Sequence, residues 1–129
     1  MIDHLSIPVA DLTAAARFYE QALAPLGHVR LVEREGTVGF GKRYPEVWLN
    51  HRPGRRAEPS GNGFHLCLRA RDRAAVQAFF EAAPSAGGVG AGGVSAGEPG
   101  LRQAAMTAYY AAFIEDPDGH RIEAATFPN

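Results

Sequence analysis

A chain of 129 residues, 46% apolar and 21% charged, is sized and balanced for a single globular domain that buries a substantial core. Its net charge of −1 supplies no basic excess to collect phosphates, which argues against a nucleic-acid partner, and no window approaches the roughly 20 apolar residues of a membrane span. Cys67 is the only cysteine, so neither an intrachain disulfide nor a cysteine zinc cluster can form, and with no export signal visible a soluble cytoplasmic protein is expected.

The pattern reads twice. From Ile2 to Pro8 the chain is strand-like, with Pro8 expected at the strand's end because proline cannot donate to a ladder. Asp11 offers a helix N-cap, and Leu12, Ala16, Tyr19, Leu23 and Leu26 follow at helical spacing until Pro25 and Gly27 stop the helix. Three short strands are predicted next, in "HVRLVER", "TVGFGK" and "EVWLNHR". The segment "HRPGRRAEPSGNG" reads as a linker, and its clustered arginines as a solvated face.

The second unit opens with the strand "GFHLCLRARD". Asp72 caps a helix in "RAAVQAFFEAA" that turns Val76, Phe79, Phe80 and Ala83 inward. "GGVGAGGVSAGEPG" is a loop with at most one poor strand around Val89 or Val94. "MTAYYAAFIED" and "HRIEAATF" then form a hairpin about "DPDG". The order is therefore β-α-β-β-β twice, with module one at about 1–52, a linker at 53–61 and module two at about 62–129. Each helix covers one face of its sheet, and the other face must meet its counterpart or a ligand.

Three residues stand out on those open faces. Alternation along the strand puts His65, Cys67 and Arg69 opposite Phe64, Leu66 and Leu68, and puts Glu123 opposite Ile122 and Ala124. His4 holds the equivalent place in the first strand of module one. A carboxylate among apolar strand residues is costly unless paired or coordinated. Two imidazoles and one carboxylate form a ligand set that leaves metal positions open for substrate. Read singly, His4 is also satisfied as a hydrogen-bonded terminal residue, and Glu123 as a partner of Arg69. Tyr109 and Tyr110 are strand neighbours, so one phenol faces the cavity, where it can donate a hydrogen bond or assist a proton transfer. Trp48 and Phe113 are aromatic candidates for the pocket floor, and Arg69 for holding an anionic substrate. Cys67 behaves as a small hydrophobe, and His28, His51 and His120, at element ends, read as surface residues. The glycines of "GGVGAGG" follow a helix and do not join a strand to one, and "EDPDGH" lacks calcium-loop spacing, so neither is a nucleotide or calcium site.

"DHLSIPVADLTAAARFYEQAL", "GFHLCLRA" and "AAFIEDPDGHRIEAATF" resemble the vicinal oxygen chelate superfamily of glyoxalase I, bleomycin-resistance proteins and extradiol dioxygenases, over nearly the whole chain. The resemblance implies an α+β fold in which two βαβββ modules form a cupped mixed sheet with the helices outside. It places metal ligands at His4, His65 and Glu123, for one divalent ion such as zinc, nickel, manganese or iron. It also implies a homodimer and a small oxygenated substrate chelated through adjacent oxygens, in a lyase, isomerase or dioxygenase reaction. Glyoxalase I has a fourth ligand, usually glutamate, where Trp48 aligns here, which argues against a standard lactoylglutathione lyase. The alternative is a non-catalytic small-molecule binder of the bleomycin-resistance type, which would be expected to carry an acidic cleft.

Overall fold

The computed structural model of the chain describes residues 1–55, 64–85, 97–103 and 106–128. Module one runs β1 (Leu5–Val9), α1 (Leu12–Leu23), β2 (Val29–Arg34), β3 (Thr37–Gly41) and β4 (Pro45–His51). Its sheet has the order β1-β4-β3-β2, with β1 parallel to β4 and the remaining pairs antiparallel. Module two repeats the plan with β5 (Leu66–Arg69), α2 (Arg73–Ser85), β6 (Gly100–Gln103), β7 (Ala108–Glu115) and β8 (Arg121–Thr126), in the order β5-β8-β7-β6. The expected strand around Val89 or Val94 and most of the expected linker lie outside the described residues.

Local chemistry accounts for the boundaries. Asp11 accepts from the Ala14 amide at 3.0 Å and caps α1, and Asp72 accepts from the Ala75 amide at 2.8 Å and caps α2. Pro25 converts the end of α1 into a 3₁₀ turn over Ala24–Leu26, which Gly27 closes at φ 86°. Pro8 sits inside β1 and not at its end; among the described residues β1 is an edge strand paired with β4 alone, so the missing amide donor is tolerated.

The apolar stripes meet in one core that spans both modules. Ile7, Val9, Phe18, Leu23, Phe40 and Leu49 from module one join Val76, Phe79, Ile114 and Ile122 from module two in a single buried cluster, and α1 packs directly on α2. At the seam, β1 borders β5 and β8 across a small cleft of about 80 Å³ lined by Leu5, Ile7, Pro8, Leu66 and Ile122. Phe64, expected to turn toward the helix, is instead 67% exposed at this cleft. No ladder joins the two sheets among the described residues, so the α+β two-module fold is present with its sheets unclosed.

A buried polar cluster binds the modules to each other. The Tyr19 hydroxyl on α1 donates to Asp116 Oδ2 at 2.6 Å, across 97 residues of chain. Asp116 Oδ1 accepts the amides of Asp118 and His120 at 2.9 and 2.8 Å, and His120 Nδ1 lies 2.6 Å from Oδ2. The Arg55 guanidinium meets His120 Nε2 at 3.0 Å, so that nitrogen accepts and Nδ1 carries the proton given to Asp116. Asp118 in turn accepts the Ala10 amide of module one at 2.9 Å. The "DPDG" turn is therefore a buried tie as well as a turn. His120, read from sequence as a surface residue, is largely buried within it, and His28, read the same way, is only 5% exposed just after the 3₁₀ turn.

Candidate functional site on the open sheet faces

Each sheet keeps its helix on one face, and cross-strand register assigns the residues of the other. In module one, Ser6, Trp48 and Gly39 lie side by side across β1, β4 and β3, with Pro8, Asn50 and Thr37 in the next row. Thr37, Asn50 and Ser6 form a hydrogen-bonded chain, Thr37 Oγ1 meeting Asn50 Oδ1 at 2.9 Å and Asn50 Nδ2 donating to Ser6 Oγ. The indole of Trp48 lies on Gly39: a Cβ added there would stand 2.9 Å from the ring. The glycine is the seat that lets the aromatic lie down on the open face. His4 precedes β1 by one residue, is exposed, and its Nδ1 lies 2.7 Å from Asp3 Oδ1.

The second open face carries more chemistry. Cys67 pairs with Glu123, Phe113 with Glu123 on the other side, Arg69 with Ala125 and Arg102 with Tyr109. Glu123 is 3% exposed although, among the described residues, no helix covers this face. Its Oε2 lies 3.0 Å from His65 Nε2, and the His65 ring meets Phe113 edge-on at 5.3 Å. Oε1 is buried and makes no hydrogen bond of regular geometry, though the Cys67 thiol and the Tyr109 phenol approach the carboxylate closely enough to interact with it. Cys67, expected to behave as a small buried hydrophobe, is exposed; partial desolvation first, then the charge of Glu123 and a hydrogen bond to it, pushes its thiol up to about 12, and desolvation with the charge of Glu123 raises the Tyr109 phenol above its usual range. Both therefore stay protonated near neutral pH, and Cys67 is a poor nucleophile.

The structure gathers His65 and Glu123, as expected from strand alternation, with Tyr109 and Phe113 beside them. It places Tyr110 on the opposite face, packed on the core and hydrogen-bonded through its hydroxyl to Gln77 at 3.0 Å, so Tyr109 is the phenol of the open face. Arg69 does not pair with Glu123; its guanidinium stands 4.5 Å from the centre of the Phe127 ring, which stacks on Tyr109 at 5.2 Å. His4 and Trp48 belong to the first module's open face. Among the described residues no group of three His, Cys, Asp or Glu side chains is close enough to hold a metal, so His4 is not brought to His65 and Glu123. Phe127 and Arg102 escaped the sequence reading. The alternation that places Glu123 on the open face also places Phe127, four residues on, and could have found it.

A buried carboxylate beside an imidazole on an open sheet face is a donor pair of the chemical type that binds divalent cations. The same arrangement of modules recurs in known structures. A glyoxalase/bleomycin resistance protein from Albidiferax ferrireducens is 27% identical, with a TM-score of 0.79 over 96% of this chain and 97% of that one. A hypothetical protein from S. aureus shares the fold at 24% identity and a TM-score of 0.67, over 98% and 94% of the two chains. A glyoxalase-related enzyme from Fulvimarina pelagi does so at 18% identity and a TM-score of 0.66, over 99% and 88%. No curated protein matches the chain. The sequence model of one family spans residues 1–124, nearly the whole chain, which makes this protein a member of the Glyoxalase/Bleomycin resistance protein/Dioxygenase superfamily.

Proposed function

We propose that the chain is one subunit of a cytoplasmic, homodimeric metalloenzyme that acts on a small molecule held through two adjacent oxygens, in a lyase, isomerase or dioxygenase reaction. The observation that carries the reading is Glu123, a carboxylate 3% exposed with Oε2 against His65 and Oε1 without a hydrogen bond of regular geometry. A buried carboxylate met by one imidazole and two weak donors is still short of strong partners, a cost of roughly a few kcal/mol that coordination would lower. His65 and Glu123 would hold the ion, with His4 as third donor supplied by the first module of a second copy. A bound zinc, nickel, manganese or iron ion supplies Lewis-acid polarisation of the substrate oxygens.

The chain's own groups do the rest. Tyr109, kept protonated by burial and by Glu123, donates a hydrogen bond to a substrate oxygen on the open face. Phe113 and Trp48 exclude water and floor the pocket. No glutamate occupies the position of Trp48, so the chemistry proposed is not that of a standard lactoylglutathione lyase. A bleomycin-resistance-type binder of a cationic drug would call for acidic lining. The second open face instead carries Arg69, Arg102 and Arg121 against Glu115 and Glu123, which favours the enzyme reading.

Metal titration by calorimetry tests the reading, with zinc, nickel, manganese and anaerobic iron against the parent, His4→Ala and Glu123→Gln. One ion per chain, lost in both variants, is expected. Mixing the two variants should restore part of the parent's capacity, because a mixed dimer has one site with all donors intact. Retention of full metal binding in Glu123→Gln would sink the proposal.

A further inference from the structure

We propose that the chain carries a second ligand site, where α2 stops short of the end of its sheet, and that it takes a small carboxylic acid with an aromatic body, its carboxylate received by Arg73. The floor of this site is the sheet face on which α2 packs, and not the face of His65 and Glu123. The inference goes beyond the enzyme reading and does not depend on it.

Three observations carry it. The first is an uncovered end of the sheet. Ala112 and Ala124 pair on the face that α2 covers, and both are fully buried in the core. Two residues toward the strand ends, Leu101, Tyr110 and Thr126 lie side by side on the same face, yet Leu101 is 64% exposed. With Ala108 and Pro128 this row floors a groove of about 410 Å³ beside the start of α2 at Arg73. Tyr109 and Phe127 border it as well, so the lining is mainly apolar and aromatic, and its volume falls within the roughly 300–1,000 Å³ of small-molecule sites.

The second is a cation at the rim that is already held. Arg73 lines the groove, and its guanidinium stands 5.0 Å from the centre of the Tyr110 ring. Gln77, one helical turn further along α2, donates to the Tyr110 hydroxyl at 3.0 Å, so one stripe of the helix fixes both the ring and the cation stacked on it. Part of the side-chain freedom that an arginine loses on meeting an anion is therefore lost before the ligand arrives.

The third is charge. Among the described residues no carboxylate lies within ion-pair distance of Arg73. Asp72, the acid that borders the groove, is engaged elsewhere: Oδ1 accepts the Ala75 amide at 2.8 Å and Oδ2 lies 3.4 Å from Arg71 Nε. Arg71, Asp72 and Arg73 together leave the rim positive. A guanidinium with its fork of donors unspent is matched to a carboxylate in bidentate geometry, and the aromatic lining is matched to a flat apolar body beside it.

Phenylacetate and its neutral isostere phenylacetamide are the probes, titrated at constant ionic strength into the full-length protein labelled with ¹⁵N at arginine side chains. Phenylacetate should shift the Arg73 Nε resonance saturably and bind at least about fivefold more tightly than phenylacetamide. Arg73→Met, which keeps an apolar stem against Tyr110, should lose the preference, and Arg73→Lys should retain only part of it. Leu101→Gln, at an exposed position, should weaken both probes by a similar factor, because it alters the floor and not the charge. Arg34→Met, on the far edge strand β2, should match the parent. Saturating zinc should leave the phenylacetate affinity unchanged, which separates this site from the metal donors. Equal binding of the two probes, no phenylacetate binding at millimolar concentration, an unchanged preference in Arg73→Met, or an affinity that appears only with zinc would each overturn the inference.

Discussion

Removing a single oxygen from the module junction should cost the fold about 2 kcal/mol. Tyr19→Phe leaves the ring in the core, where the parent residue is 1% exposed, and deletes only the hydroxyl that donates to Asp116 Oδ2 at 2.6 Å. Asp116 is fully buried and uses both oxygens, Oδ1 for two backbone amides and Oδ2 for Tyr19 and His120. After the substitution His120 alone serves Oδ2, so the loss is that of one hydrogen bond to a charged group, about 1.5–3 kcal/mol. Unfolding entropy of about 2.1 cal/mol/K per residue over the 129 residues gives about 0.27 kcal/mol/K, so 2 kcal/mol corresponds to a fall in Tm of about 7 °C. Urea unfolding followed by circular dichroism should show the lower midpoint with an unchanged slope. Asp116→Asn should cost more, at least about 3 kcal/mol, because an amide NH₂ must face a donor whichever way it turns. A Tyr19→Phe loss below about 0.5 kcal/mol would refute the claim that this hydroxyl holds the modules together.

Three further outcomes follow from the same structure. Tyr19's pKa is raised well above its usual value, first by burial and then by Asp116; the folded state holds that proton more tightly than the unfolded state, so stability falls as pH rises past about 10, and Tyr19→Phe should flatten that limb of the profile. His28 has the opposite sign. Burial lowers its pKa more than Glu46 raises it, so the unfolded chain binds the proton better, and stability should fall as pH drops through about 6.5; His28→Leu should show a smaller loss between pH 7.5 and 5.5 in urea midpoints, and an equal loss would refute the assignment. Gly39→Ala places a methyl 2.9 Å from the Trp48 ring and should destabilise by about 1–3 kcal/mol while shifting the Trp48 emission maximum; an unaltered spectrum would mean that the indole does not lie on Gly39.

Local periodicity carried most of the fold into the sequence. Ala16, Tyr19, Leu23 and Leu26 recur at helical spacing and are buried, and Glu123 alternates against Ile122 and Ala124 as a strand requires. That His65 and Glu123 share a face was legible for the same reason, since alternation puts both on the side away from α2, but their direct contact was not. What periodicity does not encode is where a polar atom at a core position spends its hydrogen bond. Tyr19 read as one more apolar stripe residue, because its partner Asp116 lies 97 residues away and inside a segment whose proline and glycine already explain a turn. His28 read as a surface residue because its burial depends on the path the chain takes after the 3₁₀ turn, and not on its neighbours in sequence.

Arg69 illustrates the opposite case. Its two sequence readings, neutralising Glu123 or receiving an anion, differ only in which carboxylate it meets, and both place it on the same face. Strand alternation could not choose between them, because the choice depends on whether His65 reaches Glu123 first. The structure shows that it does, at 3.0 Å, while the guanidinium leans on Phe127. One pairing thus governs two functional readings. A His65 engaged with Glu123 brings an imidazole and a carboxylate together on the open face, and among the described residues no carboxylate then pairs with Arg69, a few residues along the same strand. Had Glu123 paired with Arg69 instead, the same residues would have made a structural ion pair on that face.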